Sequence, residues 1–336
     1  MSARRGFALI AALWLMVAIA AVALQFALVG RERRVLGLGA SDRGRQGAAA
    51  IGALVMLQAQ MDYDLRTGGT ASGNVSVASL RASDPWLGAD SLYSGTYYVD
   101  SIPVQVIAED LGNKLNINTM TETQLQTLFS FVLGDYGMAN QLTAAIEDWR
   151  DNDDIASANG AEVDDYIKAG MLALPTNGPI REVDDLINVM GFTPDILDAL
   201  RPYITTHGTG AAGTTAAPIN INTAQEPVLR ALPGMTDVIL TQILAGRSQG
   251  RRIQSVAQVM AGTPQGRAQA AGRGGRGGAA QPSSTQTNLT SATTVNTQNV
   301  EVTILVKDTV NTQQTRLNAL ITRGTNNQAT IAWQRW

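Results

Sequence analysis

The sequence contains no cysteine and only one histidine. Without cysteine the chain can form no disulfide, no thiolate zinc site and no cysteine nucleophile. A single histidine makes a catalytic triad or a metal site with several histidine ligands very hard to build. This residue, His207, lies in a Gly/Thr/Ala-rich stretch over residues 205–217, so we expect it in a solvated loop. These absences argue against a conventional hydrolase, and we predict that the chain is not an enzyme.

Charged residues are also scarce, at 16% of the chain, against about 25% in a typical soluble domain. The formal net charge of −3 hides an uneven distribution. Residues 61–205 carry 22 acidic and 7 basic side chains, whereas residues 1–60 carry 2 and 7, and residues 206–336 carry 4 and 11. An acidic middle therefore lies between two basic ends.

One long apolar run stands at the N-terminus, where residues 7–30 include no charged side chain. About 20 apolar residues span a bilayer core as a helix. Arg4 and Arg5 precede the run, so we expect the N-terminus to stay in the cytoplasm. The helical pattern continues without proline, and we predict one helix over residues 7–62 with residues 7–30 in the membrane. A plain signal anchor and a cleavable secretory signal are the alternatives.

The residues just before this run resemble a processing site. Arg4, Arg5, Gly6 and Phe7 resemble the leader of type IV prepilins and type II secretion pseudopilins. The resemblance implies that a prepilin peptidase cuts between Gly6 and Phe7 and that Phe7 is then methylated. Most members carry glutamate at the fifth mature position, which is Ala11 here. The general secretion pathway protein K family typically lacks that glutamate. A fibre subunit that has no other subunit above it needs no such buried carboxylate.

Alternating apolar residues predict three strands, over residues 97–108, 300–306 and 317–321. Pro103 within the first strand favours an edge position or a bulge. Late strands need a partner in a sheet, and the first strand is the natural one. Residues 115–295 would then be inserted into a small helix-and-sheet domain, which is similar to the plan of the protein K family.

The inserted region contains an internal repeat. Residues 115–119 read LNINT and residues 219–223 read ININT, and each is followed by an amphipathic helix pattern. The predicted helix N-caps and their capping-box partners are Thr119 with Glu122 and Thr223 with Glu226. Such repeats indicate duplicated supersecondary units rather than catalytic groups.

The second copy continues as LPGMT over residues 232–236, which resembles the helix-hairpin-helix module of DNA-binding proteins. In that module a helix N-terminus meets a phosphate. Thr236 stands where a second glycine would allow close approach, and the acidic first half of the inserted region repels DNA. The Gly/Arg-rich residues 272–278 are typical of a flexible loop. No nucleic acid is expected as a partner, and a membrane-anchored DNA-binding protein is the alternative function.

Acidic residues are most crowded between residues 147 and 166. So many carboxylates repel one another unless they are solvated or neutralised by a hard cation such as calcium. The spacing does not match an EF-hand, so the residues alone leave a solvated loop and a metal site open. The run from Asp148 to Tyr166 resembles the signature region of the protein K family, whose members bind calcium. The candidate calcium ligands are Asp151, Asp153, Glu162 and Asp165.

Together these observations predict an α+β fold, in which a long N-terminal helix and a small antiparallel pilin-like sheet are interrupted by a large inserted all-α domain with helix-hairpin-helix-like repeats. The predicted segments are a leader (1–6), the long helix (7–62), the first part of the sheet (63–114), the inserted helical domain (115–262), a flexible linker (263–295) and the C-terminal strands (296–336).

The resemblance to the protein K family implies a function. It implies a minor pseudopilin that caps the type II secretion pseudopilus and helps initiate its assembly with other minor pseudopilins. Further implied partners are the prepilin peptidase and the inner-membrane assembly platform. The chain would be inserted once in the bacterial inner membrane before assembly, with its bulk in the periplasm. A minor pilin of a type IV pilus or DNA-uptake system is a further alternative.

Overall fold

The structure, a computed structural model, describes residues 16, 25, 42–67, 84–208, 216–261, 284–307 and 314–336. The α-helices within these residues are α1 (residues 42–67), α2 (Ala89–Leu92), α3 (Glu122–Leu133), α4 (Tyr136–Arg150), α5 (Val163–Lys168), α6 (Pro194–Leu200), α7 (Glu226–Arg230), α8 (Asp237–Ser248), α9 (Val256–Ala261) and α10 (Ser284–Ala292). Two 3₁₀ helices cover Leu111–Asn113 and Val183–Asn188. The strands are β1 (Gly95–Val99), β2 (Ile102–Asp110), β3 (Leu115–Asn116), β4 (Ile204–Thr205), β5 (Ile219–Asn220), β6 (Thr293–Thr294), β7 (Asn299–Lys307), β8 (Gln314–Arg323) and β9 (Ala329–Arg335).

The main sheet is antiparallel and has the strand order β1-β2-β7-β8-β9. β2 pairs with β7 from Val104 opposite Val306 to Asp110 opposite Val300. Residues 111–298 therefore lie between two hydrogen-bonded neighbours of one sheet. The fold combines helices with an antiparallel sheet, and the late strands pair with the earlier one as predicted.

Helix α1 packs against one face of this sheet. Its buried side chains recur every three or four residues, which is the spacing of one helix face. They include Ala50, Leu54, Leu57 and Met61, each at most 1% exposed. The alternating side chains Val104, Val106, Val302, Ile304 and Leu317 of the sheet complete the same apolar core. Full burial of one such side chain contributes about 1.5–3 kcal/mol, so this layer gives the sheet its main support.

The inserted region has a second apolar core, to which the faces of α3, α4, α7 and α8 contribute together with other helices and the connecting segments. It also contains two short parallel strand pairs, β3 with β4 and β5 with β6. The region is therefore largely but not wholly helical, in contrast to the all-α prediction. Strands of two residues are too short to leave a periodic pattern in a sequence.

Buried polar groups join the inserted region to the sheet. The Asp110 carboxylate, at the end of β2, accepts hydrogen bonds from the Gly112 N–H at 2.8 Å and from the hydroxyls of Thr297 (3.1 Å) and Thr223 (3.2 Å). The Thr297 N–H donates to Asp84, a fully buried carboxylate. Residues 115–119 and 219–223, the two copies of the repeat, are the first and second Asn-Ile-Asn segments. Because Thr223 belongs to the second segment, this network holds that segment beside the end of β2.

Several predicted boundaries differ in the structure. The single strand predicted over residues 97–108 is a hairpin, in which β1 and β2 meet at Asp100 and Ser101. Both turn residues have positive φ, at 48° and 65°, as a tight two-residue hairpin requires. The period-two pattern runs through so short a turn and hides it. β2 is not an edge strand, and Pro103 instead lies near its beginning, before its pairing with β7 starts.

The end of the predicted flexible linker is ordered in the structure. Residues 284–294 form α10 and β6, and Leu289 is fully buried in the core of the inserted region. A Gln/Ser/Thr-rich sequence with one apolar anchor gives no helical period. Residues 262–283, which hold the Gly/Arg-rich stretch, lie outside the described residues.

Three local predictions, those of two helix N-caps and of the surroundings of His207, were wrong. The N-cap of α3 is Thr121, paired with Gln124, two residues after the predicted Thr119, whose hydroxyl donates to the Asn116 carbonyl instead. Likewise the N-cap of α7 is Gln225, two residues after the predicted Thr223. His207 is not a solvated loop residue, since its ring contacts the Glu301 carboxylate and stacks at a tilt on Trp333.

Candidate metal centre

Helix α4 carries the start of the acidic loop. Its N-cap is Asp135, whose carboxylate accepts from the Met138 N–H at 3.0 Å. At its C-terminus the Arg150 guanidinium donates to the carbonyl of Ile117, in the first Asn-Ile-Asn segment, and to that of Met120 just after it. Burial lowers the pKa of Arg150, and the neighbouring Glu147 opposes that shift. The end of the helix is thereby fixed, and Asp151 follows directly.

Three of the four predicted ligands come together. One carboxylate oxygen from each of Asp151, Asp153 and Glu162 lies within 4.8 Å of the other two. Asp153 is exposed, Asp151 is half-buried and Glu162 is buried. The loop thus places the buried carboxylate of Glu162 beside one exposed and one half-buried carboxylate.

Within the part of the chain that the structure describes, the buried carboxylate of the cluster has no hydrogen-bond partner. Both oxygens of Glu162 are inaccessible to solvent and accept no hydrogen bond, and the same holds for Oδ1 of Asp151. Burial raises the pKa of Glu162, and the negative charge of Asp148 raises it further. The pKa of Asp151 is raised by burial and by Asp153. Buried carboxylates are normally paired or bind a metal, so Asp151, Asp153 and Glu162 are the residues here that could hold a cation.

The fourth predicted ligand, Asp165, has other partners. Its carboxylate accepts from the Lys168 ammonium at 3.2 Å and from the Glu162 N–H at 3.4 Å. The Lys168 hydrogen bond is the largest cause that lowers the pKa of Asp165. Asp165 therefore caps the first turn of α5 and holds the backbone of Glu162, rather than meeting the other three carboxylates.

Two residues that were not among the predicted ligands hold the loop in shape. The fully buried Asp148 accepts the Ser157 N–H on both oxygens, at 3.2 and 3.1 Å. The Asn177 amide donates to the Asp153 carbonyl and to the Asp154 carboxylate, both at 3.1 Å. Asp148 precedes Asp151, the C-cap residue of α4, by three residues. That spacing was the available signal.

The two Asn-Ile-Asn segments make matching contacts. The side chain of Asn118 exchanges two hydrogen bonds with the backbone of Ile180, and that of Asn222 does so with Ile253. Arg247 donates to the Thr223 and Ala224 carbonyls, as Arg150 does in the first half. Only five residues separate Arg247 from Ile253. The acidic loop is therefore an extension that the second half lacks.

The second helix hairpin resembles the DNA-binding module only in outline. Gly234 has a left-handed φ of 79°, as a hairpin glycine requires. The Thr236 hydroxyl, however, caps α8 by accepting from the Ile239 N–H. Asp237 stands in the first turn of α8, and Arg230 pairs with it at 2.9 Å. A carboxylate at this helix N-terminus repels a phosphate group.

Two models of one protein family, described as type II secretion system (T2SS) protein K, match residues 109–208 and 219–282. The first match ends just after β4, and the second begins at β5. The chain belongs to the type II secretion system protein K family. Its members are minor pseudopilins, which are structural components of the secretion system.

Curated protein K relatives match over part of their length. The chain is 34% identical over 125 residues to type II secretion system protein K of Pectobacterium carotovorum subsp. carotovorum, which covers 35% of this chain and 37% of that protein. It is 31% identical over 107 residues to protein K of Klebsiella pneumoniae, covering 32% and 31%. The matches thus span about a third of these relatives.

The fold resembles a solved protein K structure over most of its length. The crystal structure is that of the GspK–GspI–GspJ complex from the enterotoxigenic Escherichia coli type 2 secretion system. The TM-score is 0.56 at 15% identity, and the match covers 88% of this chain and 97% of the other.

The remaining predicted site residues, Gly6 and Phe7, lie outside the described residues. So does the predicted membrane segment 7–30, apart from Met16 and Gln25. Among the helices in the described part of the chain, none combines the length and apolarity needed to cross a membrane.

Proposed function

We propose that this protein K caps the tip of the type II secretion pseudopilus and helps initiate its assembly with other minor pseudopilins. The observation that carries the proposal is the sheet order, in which β2 and β7 are neighbours although residues 111–298 lie between them. The helix-and-sheet part remains a continuous unit, as a fibre subunit requires, while a second domain with its own core is attached between the end of β2 and the start of β7.

The attached domain suits the last subunit of a fibre. A bulky domain at the distal end leaves no surface for another subunit above it. The sequence agrees, because Ala11 stands where most pseudopilins carry a glutamate for contact with the next subunit. A subunit that is never followed by another needs no such carboxylate.

Residues 7–30 anchor the chain in the inner membrane until assembly in this proposal, with the attached domain in the periplasm. A prepilin peptidase removes residues 1–6 and methylates Phe7, and the assembly platform then receives the mature subunit. The uncharged sequence of residues 7–30 supports the anchor, and Arg4 to Phe7 support the processing site.

The partners follow by similarity from the E. coli complex, in which the related protein assembles with GspI and GspJ. The full chain, extracted in detergent after co-expression with tagged I-type and J-type pseudopilins of its own system, should copurify with both. A major pseudopilin with the same tag is the control. Recovery with the major pseudopilin alone would contradict a tip complex.

The acidic loop holds a calcium ion in this proposal. Asp151, Asp153 and Glu162 supply the carboxylates, and the buried, unpaired oxygens of Glu162 are the feature that supports a cation. Calcium takes six to eight oxygen ligands in flexible geometry, so carbonyls and water complete its shell. The ion has a structural role, because it neutralises carboxylates that otherwise repel one another across the loop.

Calcium should therefore raise the melting temperature of the protein. At a calcium concentration of about 100 times the dissociation constant, binding stabilises the folded state by about 2.7 kcal/mol. The measurement is a melting scan of the detergent-solubilised chain with calcium chloride and with chelator. Glu162→Gln should abolish the difference between the two scans, whereas Asp165→Asn should keep most of it. Identical scans of the wild-type chain would refute the calcium site.

DNA binding is not part of the proposed function. Asp237 and its partner Arg230 occupy the helix N-terminus that would face a phosphate group. The match to protein K of type II secretion systems also favours secretion over a type IV pilus. No catalytic role is proposed, and the side chains of the acidic loop serve to hold the cation.

A further inference from the structure

Asp148 is a buried carboxylate that the three-ligand site leaves unexplained. It lies in the last turn of α4, is fully buried, and points its charge at the backbone of the acidic loop. Burying a carboxylate is costly unless hydrogen bonds stabilise the charge. Both oxygens of Asp148 accept the Ser157 N–H, so the charge of this group is directed at the loop backbone.

The loop also touches Asp148 at a second point. A Cβ added at Gly160 would lie 2.7 Å from the Asp148 Cγ and closer still to Oδ2. Real Cβ atoms essentially never approach other atoms within 3.0 Å, so a side chain at this position would force the Asp148 carboxylate to shift. Gly160 donates to the Ser157 carbonyl at 2.9 Å, which closes a turn between the two contact points. This turn leads directly through Ala161 into Glu162.

The second half of the inserted region, which contains α7 and α8, shows that Asp148 is not needed to end the helix. Arg247 lies in the last turn of α8 as Arg150 lies in the last turn of α4, and each donates to two backbone carbonyls. The residue two positions before Arg247 is Ala245, where the first half has Asp148. The helix end therefore forms without a buried carboxylate. The carboxylate occurs in the half that carries the long acidic loop.

We propose that Asp148 is the positioning residue of the cation site: its carboxylate fixes the Ser157–Gly160 turn so that Glu162 is held beside Asp151 and Asp153. The inference rests on the proposed calcium site. It assigns Asp148 no contact with the ion; its effect passes through the turn. Outer-shell residues of this kind typically change metal affinity by about 10–100-fold when they are replaced.

The test is a calcium titration of the full chain in detergent by isothermal calorimetry at constant pH, with Asp148→Asn compared with the wild type. The amide is nearly isosteric but lacks the charge that holds the Ser157 N–H. The expected result is a dissociation constant about 10–100-fold higher. Asp110→Asn is the matched control, since Asp110 is also buried and accepts a backbone N–H, but at the sheet. Its dissociation constant should equal that of the wild type.

A purely structural role of Asp148 would change the melting temperature of Asp148→Asn without changing its calcium affinity. If the wild type binds no calcium, the proposed calcium site itself fails. If the wild type binds and Asp148→Asn binds equally tightly, the positioning role is refuted.

Gly160→Ala decides the case in which Asp148→Asn yields no folded protein. Gly160 has no left-handed φ, so alanine fits its backbone and acts only by pushing on the carboxylate. It keeps every charge and should still weaken calcium binding by at least about 10-fold. An unchanged dissociation constant in this variant overturns the inference.

Discussion

The buried carboxylate of Asp110 should make stability depend on pH in a predictable direction. Its side chain lies at the junction between the sheet and the second Asn-Ile-Asn segment and is 3% exposed. Burial raises its pKa from 3.8 to about 6, against the opposing hydrogen bonds of Gly112, Thr297 and Thr223. The negative charge of Asp90 adds to the increase.

The sign follows from proton linkage. Because the pKa is higher in the folded state, the folded protein holds this proton more tightly than the unfolded chain. The stabilisation is complete below pH 3.8 and is lost as the pH rises through about 6. One pKa unit corresponds to about 1.4 kcal/mol, so the loss amounts to about 3 kcal/mol. Asp110→Asn, which cannot ionise, should not show this loss.

The assay is a series of melting scans of the full chain in detergent between about pH 4 and pH 7.5, in chelator. The melting temperature of Asp110→Asn relative to the wild type should rise across this range by about 5–10 °C, from about 2–4 °C per kcal/mol. Asp135→Asn is the control, because Asp135 is exposed and asparagine caps helices as well as aspartate does. Its curve should run parallel to that of the wild type. Parallel curves for Asp110→Asn would refute the reasoning.

Three further substitutions test two predictions: the close packing at the junction between the sheet and the inserted region, and the cleavage of the leader. Gly112→Ala should destabilise the chain by about 1–3 kcal/mol, because its Cβ would lie 2.9 Å from the Asn220 Cβ; Gly44→Ala, in α1 with no atom within 4 Å of an added Cβ, should stabilise it by about 0.5–1 kcal/mol. Equal melting temperatures for both variants would contradict the packing. Gly6→Leu should block maturation, and mass spectrometry should find methylated Phe7 at the N-terminus of the wild type only. A wild-type N-terminus at any other residue would show that the leader assignment is wrong.

The sheet was largely predictable because its strands alternate regularly. Val300, Val302, Ile304 and Val306 mark β7 by their period of two residues, and they are all fully buried. The last strand, β9, was missed although Ala329, Ile331 and Trp333 alternate along it. β9 is an edge strand, and its pairing with β8 has a register shift between Leu320 and Ile321. Its alternating pattern is short and only weakly apolar, which is why it was missed.

The inserted region was harder to predict beyond its repeated asparagine segments. Those segments are readable because the same side-chain contacts need the same residues, as Asn118 and Asn222 show. Helix α10 was hidden by a Gln/Ser/Thr-rich composition, since its place is set by tertiary packing of Leu289 rather than by helix propensity.

The acidic loop could be located from the sequence, but its geometry could not be derived. Carboxylate density points to residues 147–166, yet it does not say which carboxylate is buried. Glu162 is buried and unpaired, whereas Asp165, three residues later, pairs with Lys168. This difference depends on how α5 starts after the loop, and local spacing alone gives no sign of it.

The central claim is that this protein K occupies the fibre tip. It is tested most directly by labelling the protein on pseudopili assembled from the major pseudopilin of the same system, with gold-conjugated antibody and electron microscopy. The account predicts label at one end of each fibre and none along its length. Label distributed along the fibres would contradict it, because a subunit with the inserted domain would then have others above it.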